Sequence, residues 1–138
     1  MRRLFRSFVL CAVLFAGFSA AVSAQEMTAE EKKAEKEFYD SIEREIDRLT
    51  NLLKLEDWQV FYVDSILVHD YKAMQEELKV LQGQKVSNTD MYYEVQYKWL
   101  DKIYEAYEKL FDEDQWAKYL KSGAARDKKA RDKKRSKK

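Results

Sequence analysis

Residues 57–82 read DWQVFYVDSILVHDYKAMQEELKVLQ. Val60, Val63, Leu67, Tyr71, Met74, Leu78 and Leu81 recur every three to four positions, close to heptad spacing. That period predicts one long helix over 57–82 with an apolar stripe. Trp58, Phe61, Tyr62, Ile66 and Val68 widen the apolar surface beyond the stripe, so other helices or a partner must cover it. Working outward, the chain has no proline, and of its three glycines only Gly83 and Gly123 lie beyond residue 24. With so few breakers the neighbouring segments also read as helix.

On the N-terminal side, Thr28 and Glu31 fit a capping box that starts a first helix. Phe38, Ile42, Ile46, Leu49, Leu52 and Leu53 form its apolar face. Before Phe38 the segment is almost all Ala, Glu and Lys, with little to bury, and is expected to fray or lie on a partner. On the C-terminal side, residues 83–88 read as a loop. Ser87, Asn88 or Thr89 then caps a third helix over about 90–110. Its face carries Tyr92, Val95, Trp99, Ile103, Tyr107 and Leu110, and Glu94–Lys98 and Glu105–Lys109 are favourable one-turn pairs. A short fourth helix over about 113–121 carries Trp116, Tyr119 and Leu120, with Ser122-Gly123 as its stop. The expected fold is all-α, a small hairpin or bundle of about four helices, one of them short, forming an antiparallel dimer.

Residues 1–24 read as a secretory signal peptide. Arg2, Arg3 and Arg6 precede an apolar run from Ser7 to Phe18, and Val22-Ser23-Ala24 supplies the small residues that favour cleavage after Ala24. The run is short for a membrane span, and an uncleaved N-terminal anchor is the alternative. Cys11, the only cysteine, is preceded by Leu10, not by the small residue a lipoprotein box needs. Cleavage leaves residues 25–122 as a helical domain without disulfides, working in the periplasm or outside the cell.

The net charge of +1 hides an asymmetry. Of 26 basic residues, three lie in 1–24 and nine in 126–138, leaving 14 in residues 25–125; of 25 acidic residues, 23 lie in that body and only Asp127 and Asp132 in the tail. Residues 125–129 and 130–134 repeat Ala-Arg-Asp-Lys-Lys. A basic tail over 123–138 without apolar anchors is expected to be disordered in isolation. It serves either as a solubilising end or as an electrostatic dock for an anionic membrane, a polysaccharide or the acidic body itself.

The catalogue of reactive groups is thin. His69 is the only histidine and stands beside Asp70, so no metal site of nitrogen and sulfur ligands is expected. No nucleophile signature surrounds any serine, and no glycine-rich phosphate loop is present. No catalytic residue, cofactor or metal is assigned, and a nucleic-acid partner would rest on the tail alone.

Two helix starts share one pattern: Leu55-Glu56-Asp57-Trp58-Gln59 and Phe111-Asp112-Glu113-Asp114-Gln115. In each, an apolar residue precedes a polar one, and glutamine follows three residues later, as in a capping box with a hydrophobic staple. The pair resembles the LTxxQ motifs of the Spy/CpxP-like family of exported helical proteins. Leu55, Gln59 and Gln115 match. Glu56 and Asp112 stand in place of threonine, Glu56 being a poor cap, and Phe111 stands in place of leucine. The resemblance covers residues 38–121 by layout and only the two five-residue motifs by sequence. It implies a bent antiparallel dimer of helical hairpins whose concave face holds unfolded or aggregation-prone envelope proteins without ATP. Some relatives act in envelope-stress or metal sensing; the metal-sensing branch relies on histidine and related ligands that this chain lacks.

Composition points the same way. Residues 25–138 carry nine tyrosines, three tryptophans and three phenylalanines, more than two or three helices can hide. Tyr39, Tyr62, Tyr93, Tyr97, Tyr104 and Tyr119 fall off the main stripes. Tyrosine offers wide contact with a polar tip, so these six are candidates for loose client binding. Alternatively they pack a dimer interface or rim the core. A different class of function is an envelope adaptor: a helical oligomer docked through its basic tail.

Overall fold

The structure is a computed structural model that describes residues 27–137. The expectations for residues 1–24, including cleavage after Ala24 and the fate of Cys11, lie outside the described residues. Glu31 donates its amide to the Thr28 hydroxyl at 3.2 Å, and Glu31 Oε2 accepts the Thr28 amide at 2.7 Å. This reciprocal cap opens α1, Ala29–Leu53. Residues 29–37 are helical and exposed, braced by the pairs Lys33–Glu37 and Lys36–Asp40. They therefore extend as helix without packing. Burial begins with Phe38 and Ile42 and continues through Leu49 and Leu53. Leu52, placed on the stripe by sequence, is turned to solvent.

Lys54, in the left-handed region at φ 54°, ends α1, and three residues later α2 begins, Asp57–Gly83. Val63 and Leu67 are fully buried, with Val60, Ile66, Val68 and Tyr71 packed against them. Gly83 is not the reversing residue; Lys85 is, at φ 54°. Asn88 then caps α3, Thr89–Leu110, by accepting the Asp90 amide at 3.0 Å. Lys98 reaches across to Glu77 of α2, and Glu94 receives Arg135. The short connections make α1 and α2, and α2 and α3, antiparallel neighbours.

Asp112 caps α4, Glu113–Tyr119. The expected stop at Ser122-Gly123 does not end the helical path. A π-helical turn, Leu120–Ala124, carries the chain through Gly123 at φ 121° into α5, Ala125–Arg135. The tail expected to be disordered is thus helical over these eleven residues. Ala, Arg and Lys have high intrinsic helix propensity, and the tail is not in isolation: its cations meet acids and tyrosines of α3. The core lies between α1, α2 and α3 and the start of α4, built from Ile42, Leu49, Leu53, Leu55, Val63, Leu67, Ile103, Tyr107 and Phe111. The protein is an all-α bundle, and no strand occurs among the described residues. Nor is any helix among them long and apolar enough to cross a membrane.

Candidate functional site

The two repeated helix starts meet. Leu55 and Phe111, the apolar residues before each cap, are both buried in the core. Gln59 Oε1 accepts the Glu56 amide at 3.0 Å, and Gln115 Oε1 accepts the Asp112 amide at 3.1 Å. Asp112 also accepts the Gln115 amide at 2.8 Å, completing its box. Glu56 accepts the Trp58 indole N–H. The two glutamine side chains then bond to each other, Nε2 to Oε1, at 2.7 and 2.9 Å. Each has one N–H left. Gln59 gives its own to the Leu110 carbonyl at 3.3 Å, at the end of α3, and Gln115 to the Leu53 carbonyl at 3.4 Å, at the end of α1. Both amides thereby use their full bonding capacity, which is what burial demands. The motif residues form a structural clamp between two helix-to-helix turns, with no open valence for a ligand.

The six candidate tyrosines divide. Tyr39 is exposed on α1, edge-on to Phe38, and its hydroxyl accepts Lys72 Nζ at 2.7 Å. Tyr62 is exposed on α2 in an edge-to-face series with Trp58 and Phe61, at centroid distances of 6.2 and 5.7 Å. Trp58, Phe61 and Tyr62 are 52%, 66% and 52% exposed. Nothing among the described residues covers them, although the sequence width of the α2 apolar surface called for a cover. Trp58 and Phe61 are as prominent here as Tyr62, and choosing only tyrosines passed over them.

The other four lie along the side where α3 faces the tail. Tyr93 stacks on Tyr97 at 6.0 Å, and Lys134 Nζ sits 5.1 Å from the Tyr93 ring. Tyr104 meets Trp116 edge-on at 4.9 Å, and Tyr119 meets Tyr107 edge-on at 5.4 Å. Tyr97, Tyr104 and Tyr119 line a cleft of about 520 Å³ together with Tyr71 and Tyr107. The last two lie on the helical stripes, where periodicity marks them as core; only their position beside the tail makes them cleft residues. Burial, reinforced by Glu45, pushes the Tyr119 phenol up to about 12, and burial raises Tyr107 well above the ordinary range. Arg48, hydrogen-bonded to Glu45 at 2.7 and 2.8 Å, also faces this space.

The tail forms the outer wall. Asp101 of α3 is buried and accepts Arg131 at 2.9 Å and Arg135, with Lys128 4.0 Å away. α5 has no buried residue and no apolar side chain larger than alanine. Its attachment is therefore ionic and cation–π in character. Arg126, Lys129, Lys133 and Lys137 are exposed.

His69 is exposed on α2 with Nδ1 2.7 Å from Asp70 Oδ1. Among the described residues no group of three or more His, Cys, Asp or Glu side chains is placed to hold a metal. Compared with family models, curated proteins and solved structures, the chain matches none.

Proposed function

We propose that this protein is an exported, ATP-independent, non-enzymatic chaperone. It holds unfolded or aggregation-prone envelope proteins on aromatic helical surfaces, acting as a homodimer in the periplasm or outside the cell. The observation that carries this reading is the uncovered Trp58–Phe61–Tyr62 cluster on α2. Exposed aromatic rings suit weak contact with many chains, and flanking acids such as Asp57 and Asp64 favour fast, reversible capture. The resemblance of the two motifs to the Spy/CpxP-like family supports the same reading. The test is light scattering from a chemically unfolded client, with and without residues 25–138 and with no nucleotide. Suppression near one dimer per client supports holding; none over several clients and salt concentrations refutes it.

A second reading is an envelope adaptor whose helices form a permanent oligomer and whose tail docks on an anionic surface. The exposed cations Arg126, Lys129, Lys133 and Lys137 on the tail favour it. Deleting residues 123–138 separates the two: an adaptor loses its localisation or partner, whereas a chaperone keeps its clients with altered salt dependence.

A further inference from the structure

Tyr107 is 1% exposed, and its hydroxyl has no hydrogen-bond partner. A buried hydroxyl left unpaired is unfavourable, and among the described residues it shares that condition only with Thr50 Oγ1 and Trp99 Nε1, so it calls for an explanation. The groups that act on this phenol electrostatically are Tyr119, Glu45, Tyr71 and Arg48, and all four line the cleft under the tail. Tyr107 itself lines that cleft, and its phenol, like any tyrosine at neutral pH, is protonated and able to donate.

The rest of the lining narrows what could accept that proton. Tyr71, Tyr97, Tyr104 and Tyr119 contribute rings, and Leu67, Leu100 and Ile103 contribute aliphatic surface. Charge is balanced: Glu45 and Asp127 against Arg48 and Arg131. Both arginines are already engaged, Arg48 by Glu45 and Arg131 by Asp101. No uncommitted charge is left to attract an ion, and an ionic guest would lose its hydration without repayment. A space of about 520 Å³ falls within the range of small-molecule sites, and aromatic walls favour a flat guest.

We propose that the cleft between α3 and the tail binds a small, planar, uncharged aromatic molecule whose hydrogen-bond acceptor takes the Tyr107 hydroxyl. Gly123, in the left-handed region at the bend before α5, sets the direction in which the outer wall runs over the cleft. The site is separate from the exposed α2 cluster, so it stands or falls independently of the holding function.

The test is a fluorescence titration of residues 25–138 with Nile red, a planar uncharged dye with a carbonyl acceptor. Anilinonaphthalene sulfonate serves as the anionic comparison. Saturable binding of one Nile red per chain is expected, tighter than the sulfonate. Tyr107→Phe should weaken it roughly three- to ten-fold, the worth of one hydrogen bond. The same variant should unfold at an equal or higher temperature, because it removes an unpaired hydroxyl; a tyrosine with a purely structural role would not show this split. Ala130→Trp, filling the cleft from the tail side, should abolish binding, as should Leu100→Trp from the α3 side if the first variant disturbs the tail helix. A combined Trp58→Ser, Phe61→Ser and Tyr62→Ser variant should bind as before. Non-saturable uptake, loss of binding in that combined variant, or binding indifferent to Tyr107→Phe and to both cleft-filling variants would overturn the proposal.

Discussion

Gln59 and Gln115, 56 residues apart, hold each other by both ends of their amides, at 2.7 and 2.9 Å. Each also receives the backbone amide of its own cap and reaches for the last carbonyl of a helix that precedes one of the two turns. One side-chain pair thus ties together the start of α2, the start of α4 and the ends of α1 and α3. A glutamine is suited to this because it carries two donors and two acceptor sites in one plane.

Gln59→Ala and Gln115→Ala should each destabilise the fold by about 2–3 kcal/mol, since each leaves a buried amide and backbone groups unpaired. The double variant should cost less than the sum by about 1 kcal/mol, because the two shared bonds are lost only once. Urea denaturation of the four proteins measures the coupling. Strict additivity would show that the pair is not a unit.

Asp101→Asn should free α5 from its seat. The carboxylate takes Arg131 and Arg135 together, and no apolar anchor remains to hold the helix. Limited trypsin digestion should then cut within 125–135 at least ten-fold faster while the body stays intact. High salt should do the same to the unaltered protein, as the Debye length shrinks to about 3 Å at 1 M. Protection unaffected by either change would mean that the tail is held by something other than these charges.

Alkaline pH should destabilise the bundle through Tyr107 and Tyr119. Both phenols are raised in the folded state, Tyr119 to about 12, mainly by burial. An unfolded tyrosine ionises near 10, so above that pH the unfolded chain has released protons that the folded one retains. Stability is therefore complete below about pH 10 and declines as pH rises toward the folded values. Thermal unfolding between pH 9 and 12 checks the sign, and Tyr119→Phe should flatten the decline. Phenolate absorbance should show late-titrating tyrosines in the folded protein and none in denaturant.

Replacing Trp58, Phe61 and Tyr62 by serine should change stability by less than about 1 kcal/mol, because exposed positions contribute little. The same variant should lose most of its suppression of client aggregation. If suppression persists, the holding surface lies elsewhere. If the protein unfolds, the cluster is covered in solution, most simply by a second copy. Light scattering at micromolar concentration tests the latter; a monomeric mass would remove the cradle-like dimer.

Helix identity was legible because the apolar period of α1, α2 and α3 survives even where a side chain proves exposed, as with Leu52. The caps at Thr28 and Asp112 were legible because they are local: a few neighbouring residues decide each hydrogen bond; at the third helix the sequence left Ser87, Asn88 and Thr89 open, and the structure selects Asn88. The behaviour of Gly83, Lys85 and Gly123 was not legible. Glycine signals permission for a reversed backbone, whereas its use depends on where the next helix must go; here Lys85 reverses and Gly123 bends a path that continues. Tyr71 and Tyr107 read as core by period, and only the tail standing over them reveals a cleft.

The sequence by itself determined α1 to α4, the near-absence of breaking residues and the opposition of acidic body and basic tail, because propensity, period and charge count are properties of short segments; it did not determine α5. Tertiary structure alone decided that Gln59 meets Gln115, that Asp101 seats Arg131 and Arg135, and that three aromatic side chains of α2 remain bare. Those outcomes depend on contacts tens of residues apart, and the packing of α1, α2 and α3 settles them by choosing which stripe faces inward and which charges are brought within reach.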